Sequence, residues 1–148
     1  MKWLLDTNVI SEGVRKRPDQ TVLSWISAQS KENIAVSIVS VAELLSGILA
    51  VTDDTRRREL EQWVRTEVVS SSRGRRLPVT TEILMIWLQL SRKLRIRGET
   101  KDPSDLLLAS TAKAFGLILV TRNMRHFANT GITVYNPWSD EMQEMEAP

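Results

Sequence analysis

Short apolar segments alternate with longer segments of helical periodicity along this chain. Residues 2–5, 33–37, 77–79 and 117–121 have the composition of buried strands, and helical patterns lie between them. Parallel strands need long, usually helical, crossovers, so this alternation favours a parallel sheet covered by helices on both faces. We therefore predict an α/β fold, a three-layer α/β/α domain with a central, mostly parallel sheet.

Local signals predict where several helices begin and end. Asp19 follows Pro18 at one predicted helix start, and Thr80 or Thr81 can cap another. Asp102 followed by Pro103 is typical of an N-cap and first helical position, with Gly116 as the C-terminal stop. These residues divide the second half of the chain into two helices and a strand.

The first half of the chain carries two further predicted helices. One begins at Ser40 and runs to about Ala50, and a charged one covers residues 53–69. Residues 70–74 are expected to form a loop because serine, arginine and glycine follow one another there.

The length of 148 residues predicts one domain. Hydrophobic residues make up 42% and charged residues 26%, which suits an ordinary globular protein rather than a disordered chain. Residues 1–139 are expected to form the domain. Residues 140–148 are acidic and have no periodic apolar face, so we expect a flexible tail there.

Composition excludes several kinds of site. The chain has no cysteine and one histidine, so disulfides, cysteine nucleophiles and thiolate or histidine zinc sites are ruled out. Oxygen ligands remain as the possible metal ligands.

The sequence has no targeting or membrane segment that we recognise. The N-terminal residues reach an acid at Asp6 and lack the apolar stretch of a signal peptide, and no segment approaches a membrane span. We expect a cytoplasmic protein with no membrane contact.

Basic residues cluster although the net charge is only +2. The clusters lie at 15–17, 56–58, 73–76 and 92–97. Such clusters can follow a phosphate backbone, but runs of this kind are more often solvated helix faces. The sequence assigns no contact residue among them.

Three acids, Asp6, Glu43 and Asp105, fall at or near predicted strand ends and helix starts. Each has a purely structural explanation: Asp6 can cap a turn, Glu43 completes a Ser-Val-Ala-Glu capping box with Ser40, and Asp105 lies three residues after Asp102. Together they would face one end of a parallel sheet, where ligands gather. Clustered carboxylates repel unless a cation neutralises them, and oxygen ligands favour magnesium or manganese.

Four ordered sequence blocks resemble the PIN-domain ribonuclease toxins, most closely the VapC and FitB branch. They are Leu-Asp-Thr-Asn-Val-Ile-Ser-Glu at 5–12, Ser-Val-Ala-Glu-Leu at 40–44, Asp-Leu-Leu-Leu-Ala-Ser-Thr-Ala at 105–112 and Leu-Val-Thr-Arg-Asn at 119–123. The likeness runs on to the Asn-Pro-Trp ending at 136–138 and covers nearly the whole chain.

The resemblance implies an endoribonuclease that depends on Mg²⁺ or Mn²⁺ and hydrolyses RNA, a toxin of a type II toxin–antitoxin system. It also implies a homodimer, inhibition by a cognate antitoxin protein and a higher toxin–antitoxin assembly. Asp6 and Asp105 match the family's metal-binding aspartates, and Glu43 matches the glutamate that completes the acidic pocket. Thr7 and Asn8 match polar positions beside the first aspartate, where Asn8 could orient Asp6 through a hydrogen bond.

The chain departs from the strictest family pattern at Asn123, where a fourth acid would stand. An amide cannot neutralise a second cation, so we expect one ion rather than two, with Asn123 holding water or a ligand at the catalytic site. His126 invites a general-base interpretation, but we expect it to pack beside Phe127.

Two other functions fit parts of the pattern. An aspartate at a strand end can accept a phosphoryl group, but Asn8 stands where a second aspartate would be expected and the chain has no glycine-rich phosphate loop. The missing fourth acid favours a family member that binds RNA or a partner without cutting. For the five tryptophans we expect burial or dimer packing rather than base stacking.

Overall fold

The fold is given by a computed structural model that describes residues 1–69 and 75–148. The predicted loop at 70–74 lies outside the described residues. Six strands form one sheet in the order β3-β2-β1-β4-β5-β6. The strands are β1 Trp3–Leu5, β2 Ile34–Ser37, β3 Arg75–Leu77, β4 Ile118–Val120, β5 Thr133–Asn136 and β6 Glu141–Glu144.

Helices connect the strands. The α-helices are α1 Thr7–Ile10, α2 Gln20–Ala28, α3 Ile38–Leu49, α4 Asp54–Trp63, α5 Thr81–Ile96 and α6 Pro103–Phe115. A π-helical segment, Val64–Val69, continues α4, and short 3-10 turns cover Ser11–Val14, Lys31–Asn33 and Met124–Phe127. None of the helices in the described part of the chain is both long enough and apolar enough to cross a bilayer.

The sheet is mostly parallel, as predicted. Strands β1 to β5 pair in parallel, and β6 alone runs antiparallel to β5. The central strand β1 pairs on one side with β2, where Leu5 is opposite Val36, and on the other with β4, where Leu5 is opposite Val120. This arrangement brings the carboxyl ends of three strands to one edge of the sheet.

Apolar side chains cover both faces of the sheet. Leu4 and Leu119 pack with residues of α5 and α6 on one face. On the other face, Trp3 packs with residues of α1 and α2, and Val36 packs with α3, α4 and the π-helical segment. Side chains alternate along each strand, so successive residues serve opposite layers. The predicted three-layer fold is confirmed.

Most predicted helix starts are confirmed, and one is wrong. Asp19, Thr80 and Asp102 are N-caps whose side chains accept backbone N–H groups, and Gly116 ends α6 with φ at 61°. The helix predicted from Ser40 instead begins at Ile38, and its cap is Ser37.

The reason for this error lies in packing against the sheet. Ser40 is fully buried inside α3, with its hydroxyl 3.4 Å from the Leu5 carbonyl oxygen, so it cannot serve as the cap. Glu43 therefore does not close the capping box that was its structural explanation.

The expected flexible tail is also not what the structure contains. Residues Glu141–Glu144 form β6, all four exposed, and they pair with β5 through the backbone. Beyond the strand, Met145 is buried and its N–H donates to the Ile132 carbonyl. Main-chain pairing needs no periodic apolar face, which is why the sequence did not predict this strand.

Candidate functional site

The candidate site begins where β1 and β4 end side by side. Asp6 is the first residue after β1, and Thr121 is the first after β4. The Asp6 N–H donates to the Val120 carbonyl at 3.0 Å, which fixes the end of β1 against its neighbour. Both polar side chains thus leave the sheet at its carboxyl edge, where open parallel sheets bind ligands.

Asp6 is a nearly buried carboxylate with several donors. It is 7% exposed. Its Oδ2 accepts from the Thr121 hydroxyl at 2.6 Å and from Asn8 Nδ2 at 2.7 Å, and its Oδ1 accepts from the Thr7 N–H at 2.7 Å. The predicted hydrogen bond from Asn8 is confirmed. The contact with Thr7 also makes Asp6 the N-cap of α1, so the structural interpretation of Asp6 holds beside the functional one.

The surroundings of Asp6 disfavour its charge. Burial raises the pKa of Asp6 above its ordinary value, and the negative charge of Glu43 adds to the rise. The hydrogen bonds from Thr121, Thr7 and Asn8 act in the opposite direction without cancelling the effect. A nearby cation would remove this destabilisation of the carboxylate.

Glu43 reaches the site from α3 and is held on both oxygens. Its Oε2 accepts from the Thr7 hydroxyl at 2.7 Å, and its Oε1 accepts from the Ser104 hydroxyl. The Ser104 hydroxyl also lies 2.6 Å from Asp102 Oδ1. A hydroxyl has one proton, so Glu43 and Asp102 compete for it. Through these contacts Glu43 links α1, α3 and α6.

Asp105 enters from the first turn of α6 and pairs with His126. Its Oδ2 lies 3.1 Å from His126 Nδ1, and the side chains are 23% and 56% exposed. Burial raises the pKa of Asp105, His126 lowers it, and the charge of Asp6 raises it further. The expectation that His126 packs beside Phe127 is wrong: Phe127 is fully buried, whereas the imidazole is exposed and points to the acid.

The structure brings the three acids into electrostatic contact and leaves the predicted amide apart. Asp6 interacts with the charge of Glu43, and Asp105 interacts with that of Asp6. Asn123 is exposed, and its backbone N–H donates to Thr121 Oγ1 at 3.0 Å. In residues 1–69 and 75–148 its side chain makes no hydrogen bond, so Asn123 touches the site through its backbone.

The carboxylates of the site are the right kind of ligand for a hard divalent cation, but they are not arranged around one position. Carboxylate oxygens are the ligands that Mg²⁺ and Mn²⁺ prefer. Within the described residues, however, no three acidic or histidine side chains converge as they would around an ion. Glu43 is tied to Thr7 and Ser104, and Asp105 is tied to His126. The contact with His126 uses Asp105 Oδ2 and leaves Oδ1 available to a cation.

The sequence did not single out Thr121 or Ser104. Thr121 is fully buried and also accepts from Asn8 Nδ2 at 3.2 Å, so it fixes both Asp6 and Asn8. The sequence did contain an indication of Thr121, because it is a hydroxyl residue that directly follows the clearest buried strand, at the same edge of the sheet as Asp6. Ser104 lies beside Asp105 but offered no signal, because only the tertiary fold brings it to Glu43.

A polar cavity of about 470 Å³ lies beside His126, the partner of Asp105. Its lining includes Arg122, Asn123, Arg125 and His126. The Arg122 guanidinium lies 5.3 Å from the centre of the Trp138 ring, a cation–π contact. The cavity therefore carries two arginines and one acid, Glu141.

The chain is similar to known proteins over nearly its full length. Residues 3–132 match the PIN domain family. The chain is 35% identical to the VapC ribonuclease Y4jK of Sinorhizobium fredii, covering 91% of this chain and 96% of that protein. It is 31% identical to the toxin FitB of Neisseria gonorrhoeae, covering 93% and 99%.

The similarity extends to three dimensions. The crystal structure of FitAcB from Neisseria gonorrhoeae superposes with a TM-score of 0.84 at 30% identity. The match covers 92% of this chain and 98% of that chain. The acidic edge of the sheet thus lies in a fold shared with these proteins.

Proposed function

We propose, because this chain belongs to the PIN-domain family, that it is the toxin of a type II toxin–antitoxin system and hydrolyses RNA as an endoribonuclease in the cytoplasm. The observation that supports the proposal is that Glu43 and Asp105 both approach Asp6 at one edge of the sheet: the charge of Glu43 raises the pKa of Asp6, and the charge of Asp6 raises that of Asp105. Such a group of acids destabilises the protein unless it binds a cation.

The proposed cofactor is Mg²⁺, with Mn²⁺ as an alternative, held by Asp6, Asp105 and Glu43. When bound, the ion supplies an activated water and offsets negative charge on the phosphate and the leaving oxygen. Thr121 and Asn8 hold the Asp6 carboxylate in one orientation, because both donate to the same oxygen. This fixed orientation prepares the site without further rearrangement of Asp6.

The polar cavity beside His126 supports an RNA substrate. Arg122 and Arg125 line it together with Asn123, and guanidinium groups bind phosphate well. An RNA phosphate there would lie next to His126, which contacts Asp105. Asn123 then serves as a hydrogen-bonding group for water or RNA, which is the role that we propose for it in catalysis.

An apolar groove supports an antitoxin as partner. This groove has a volume of about 440 Å³ and is lined in part by Ile10, Leu23, Ile26 and Trp63. Ile10 ends α1, the short helix that starts beside Asp6. An antitoxin segment seated in the groove could extend along α1 and place an arginine against the carboxylates. Binding of this kind would block the site directly.

Exposed apolar residues on α3 support a homodimer. Ile38, Leu45 and Leu49 are exposed at helical spacing and form one stripe with Ala42. A stripe of this kind on a surface helix is typical of an interface. We propose that it packs against a second copy of the chain, and that the dimer binds antitoxin to form the higher assembly.

RNA cleavage by the purified protein tests the proposal. We expect cleavage of single-stranded and structured RNA with Mg²⁺ or Mn²⁺, and loss of cleavage on Asp6→Asn or Asp105→Asn. Glu32→Gln is the control, because Glu32 is an exposed acid away from the site. Cleavage that is unchanged by the aspartate substitutions, or that proceeds fully in EDTA, contradicts the proposal.

Two outcomes would favour the other functions. Metal-independent RNA binding without any cleavage would support a non-cutting binder. A phosphoryl adduct on Asp6 after incubation with an acyl phosphate, detected by mass spectrometry, would support phosphoryl transfer. Expression of the folded wild type without arrest of growth would contradict the role as a toxin.

A further inference from the structure

We infer that a second cavity, between α5 and the start of α6, binds a nucleotide of the RNA strand away from the bond that is cut. The inference rests on the proposed ribonuclease function. This α5–α6 cavity has a volume of about 540 Å³, within the range of about 300–1,000 Å³ typical of small-molecule sites. Its polar lining comprises Trp87, Ser91, Arg92, Arg95, Glu99, Thr100 and Lys101.

Two side chains of the lining carry buried polar atoms without partners. In the part of the chain that the structure describes, Trp87 Nε1 and Ser91 Oγ are the buried side-chain nitrogen and oxygen atoms that make no hydrogen bond. They lie one helical turn apart on α5, so both face the same side. Buried polar groups are nearly always paired, and each exception calls for an explanation.

The chemistry of these two atoms determines which ligand groups could be their hydrogen-bond partners. An indole N–H can only donate, so its partner must offer an acceptor oxygen or nitrogen. A serine hydroxyl can donate to the same group or accept from it. Phosphate, ribose and base edges all provide such acceptors, whereas an apolar ligand would leave both atoms unsatisfied.

The charges around the cavity favour an anion. Arg92, Arg95 and Lys101 line it, and no ion pair engages them among the described residues. The acid in the lining, Glu99, has partners already: both of its oxygens accept from Asn129 Nδ2 at 3.0 Å, and Arg97 lies 3.7 Å away. The cations therefore remain available to a phosphate.

The position of the cavity connects it to the acidic site. Pro103 and Leu106 line the cavity, and Ser104 and Asp105 lie between them on the first turn of α6. Ser104 contacts Glu43, and Asp105 is one of the three acids. The two places thus share the first turn of α6, and this turn is the route by which an RNA strand passing the acids would bring a neighbouring nucleotide to the cavity.

The test measures RNA affinity in EDTA, where metal-dependent cleavage is prevented, by fluorescence anisotropy of a short labelled single-stranded RNA. Trp87→Phe keeps an aromatic ring and removes the N–H. Trp25→Phe is its control, because Trp25 packs against Trp3 on the opposite face of the sheet. Arg92→Gln and Lys101→Gln remove cations of the lining. Lys93→Gln is their control, because Lys93 is an exposed cation on α5 that does not line the cavity.

We expect Trp87→Phe to weaken RNA binding by about two- to tenfold, the change that one net hydrogen bond corresponds to. The melting temperature of each tryptophan variant is measured as well, because phenylalanine is smaller than tryptophan and Trp87 packs against the core. Arg92→Gln and Lys101→Gln should each lower the slope of log affinity against log salt by about 0.7, the value for one phosphate contact on a single strand. Trp25→Phe and Lys93→Gln should change neither the RNA affinity nor its salt dependence.

The inference is overturned if Lys93→Gln lowers affinity and salt dependence as much as Arg92→Gln, because charge alone would then suffice. It is also overturned if Trp87→Phe changes dimer dissociation in sedimentation experiments and leaves RNA affinity intact, since a second copy would then cover the cavity. If the wild type cuts RNA and all five variants bind RNA as tightly as the wild type does, the inference is overturned and the proposed function stands. A wild type that neither cuts nor binds RNA overturns the proposed function with it.

Discussion

The Thr121 hydroxyl donates a 2.6 Å hydrogen bond to Asp6 across 115 positions of the sequence. The bond joins the ends of two neighbouring parallel strands, and both partners are buried. It therefore depends on correct pairing of β1 with β4 and reports directly on whether the site is assembled.

Replacing Thr121 tests the importance of this bond. Thr121→Val keeps the shape of the side chain but leaves the Asp6 carboxylate and the Asn123 N–H each short of a partner. We expect a loss of about 1–3 kcal/mol in the free energy of unfolding and a clear loss of RNA cleavage, measured by urea denaturation and cleavage assays. Thr121→Ser keeps the hydroxyl and should retain both the stability and the RNA cleavage. Thr133→Val, on β5, is the control, and wild-type behaviour of Thr121→Val would contradict the prediction.

Ser104 should control the protonation of Asp102. Hydrogen bonds from the Ser104 side chain and then from its N–H lower the pKa of Asp102, which is exposed to solvent. Ser104→Ala removes the first, so the pKa of Asp102 should rise towards its ordinary value in an NMR titration of the carboxyl carbon. RNA cleavage should fall as well, because Glu43 loses one of its two hydroxyl donors. An unchanged Asp102 pKa would show that the hydroxyl proton is given to Glu43 instead.

The raised pKa of Asp6 predicts how stability changes with pH. Between the ordinary value of 3.8 and the higher folded-state value, the folded protein binds more protons than the unfolded chain. The stability that protonated Asp6 contributes is therefore complete below 3.8 and lost as the pH rises through the folded-state pKa. Without metal, the melting temperature of the wild type should rise relative to Asp6→Asn as the pH is lowered from neutral. A difference that is constant with pH would contradict this assignment.

Bound metal should offset the loss of folding stability that the charged carboxylates cause at neutral pH. Mg²⁺ or Mn²⁺ at about one hundred times its dissociation constant should stabilise the wild type by about 2.7 kcal/mol. Asp6→Asn should gain much less, because it lacks one of the three carboxylates. The comparison uses melting temperatures with metal and after its removal by EDTA. Equal stabilisation of the two proteins would place the metal elsewhere.

The proposed dimer predicts a distinct effect of substitutions on α3. A glutamate at Leu45 or Leu49, both exposed in the single chain, would bring charge into an apolar interface. We expect these variants to sediment as folded monomers. Phe115→Glu, which alters an exposed apolar residue on α6, should remain dimeric. Monomeric wild-type protein, or a variant dimer as tight as the wild type, would contradict the proposal.

Where structure depends on neighbouring residues, the sequence predicted it well. Asp102, Pro103 and Gly116 define α6 because N-caps, first-turn prolines and left-handed glycines act over one turn. Asp6 was found because the end of a buried strand is visible in the pattern of apolar residues.

Features that depend on distant residues were missed. Ser37 and Ser40 are equally good caps by composition, and only the contact of Ser40 with β1 decides between them. The Asp105–His126 pair needs α6 and the turn after β4 to meet, which spacing alone does not reveal. Asn123 was placed in the site by family pattern, whereas its backbone makes the contact.

The span of the Asp6–Thr121 bond has a consequence for the synthesis of the protein. A ribosome completes Asp6 and Glu43 long before it reaches Asp105 and Thr121, so the emerging chain carries only part of the site for most of translation. The bond that orients Asp6 can form only after β4 has left the exit tunnel and joined β1. A growing chain therefore lacks Asp105 and the bond that orients Asp6 until most of its residues have been made.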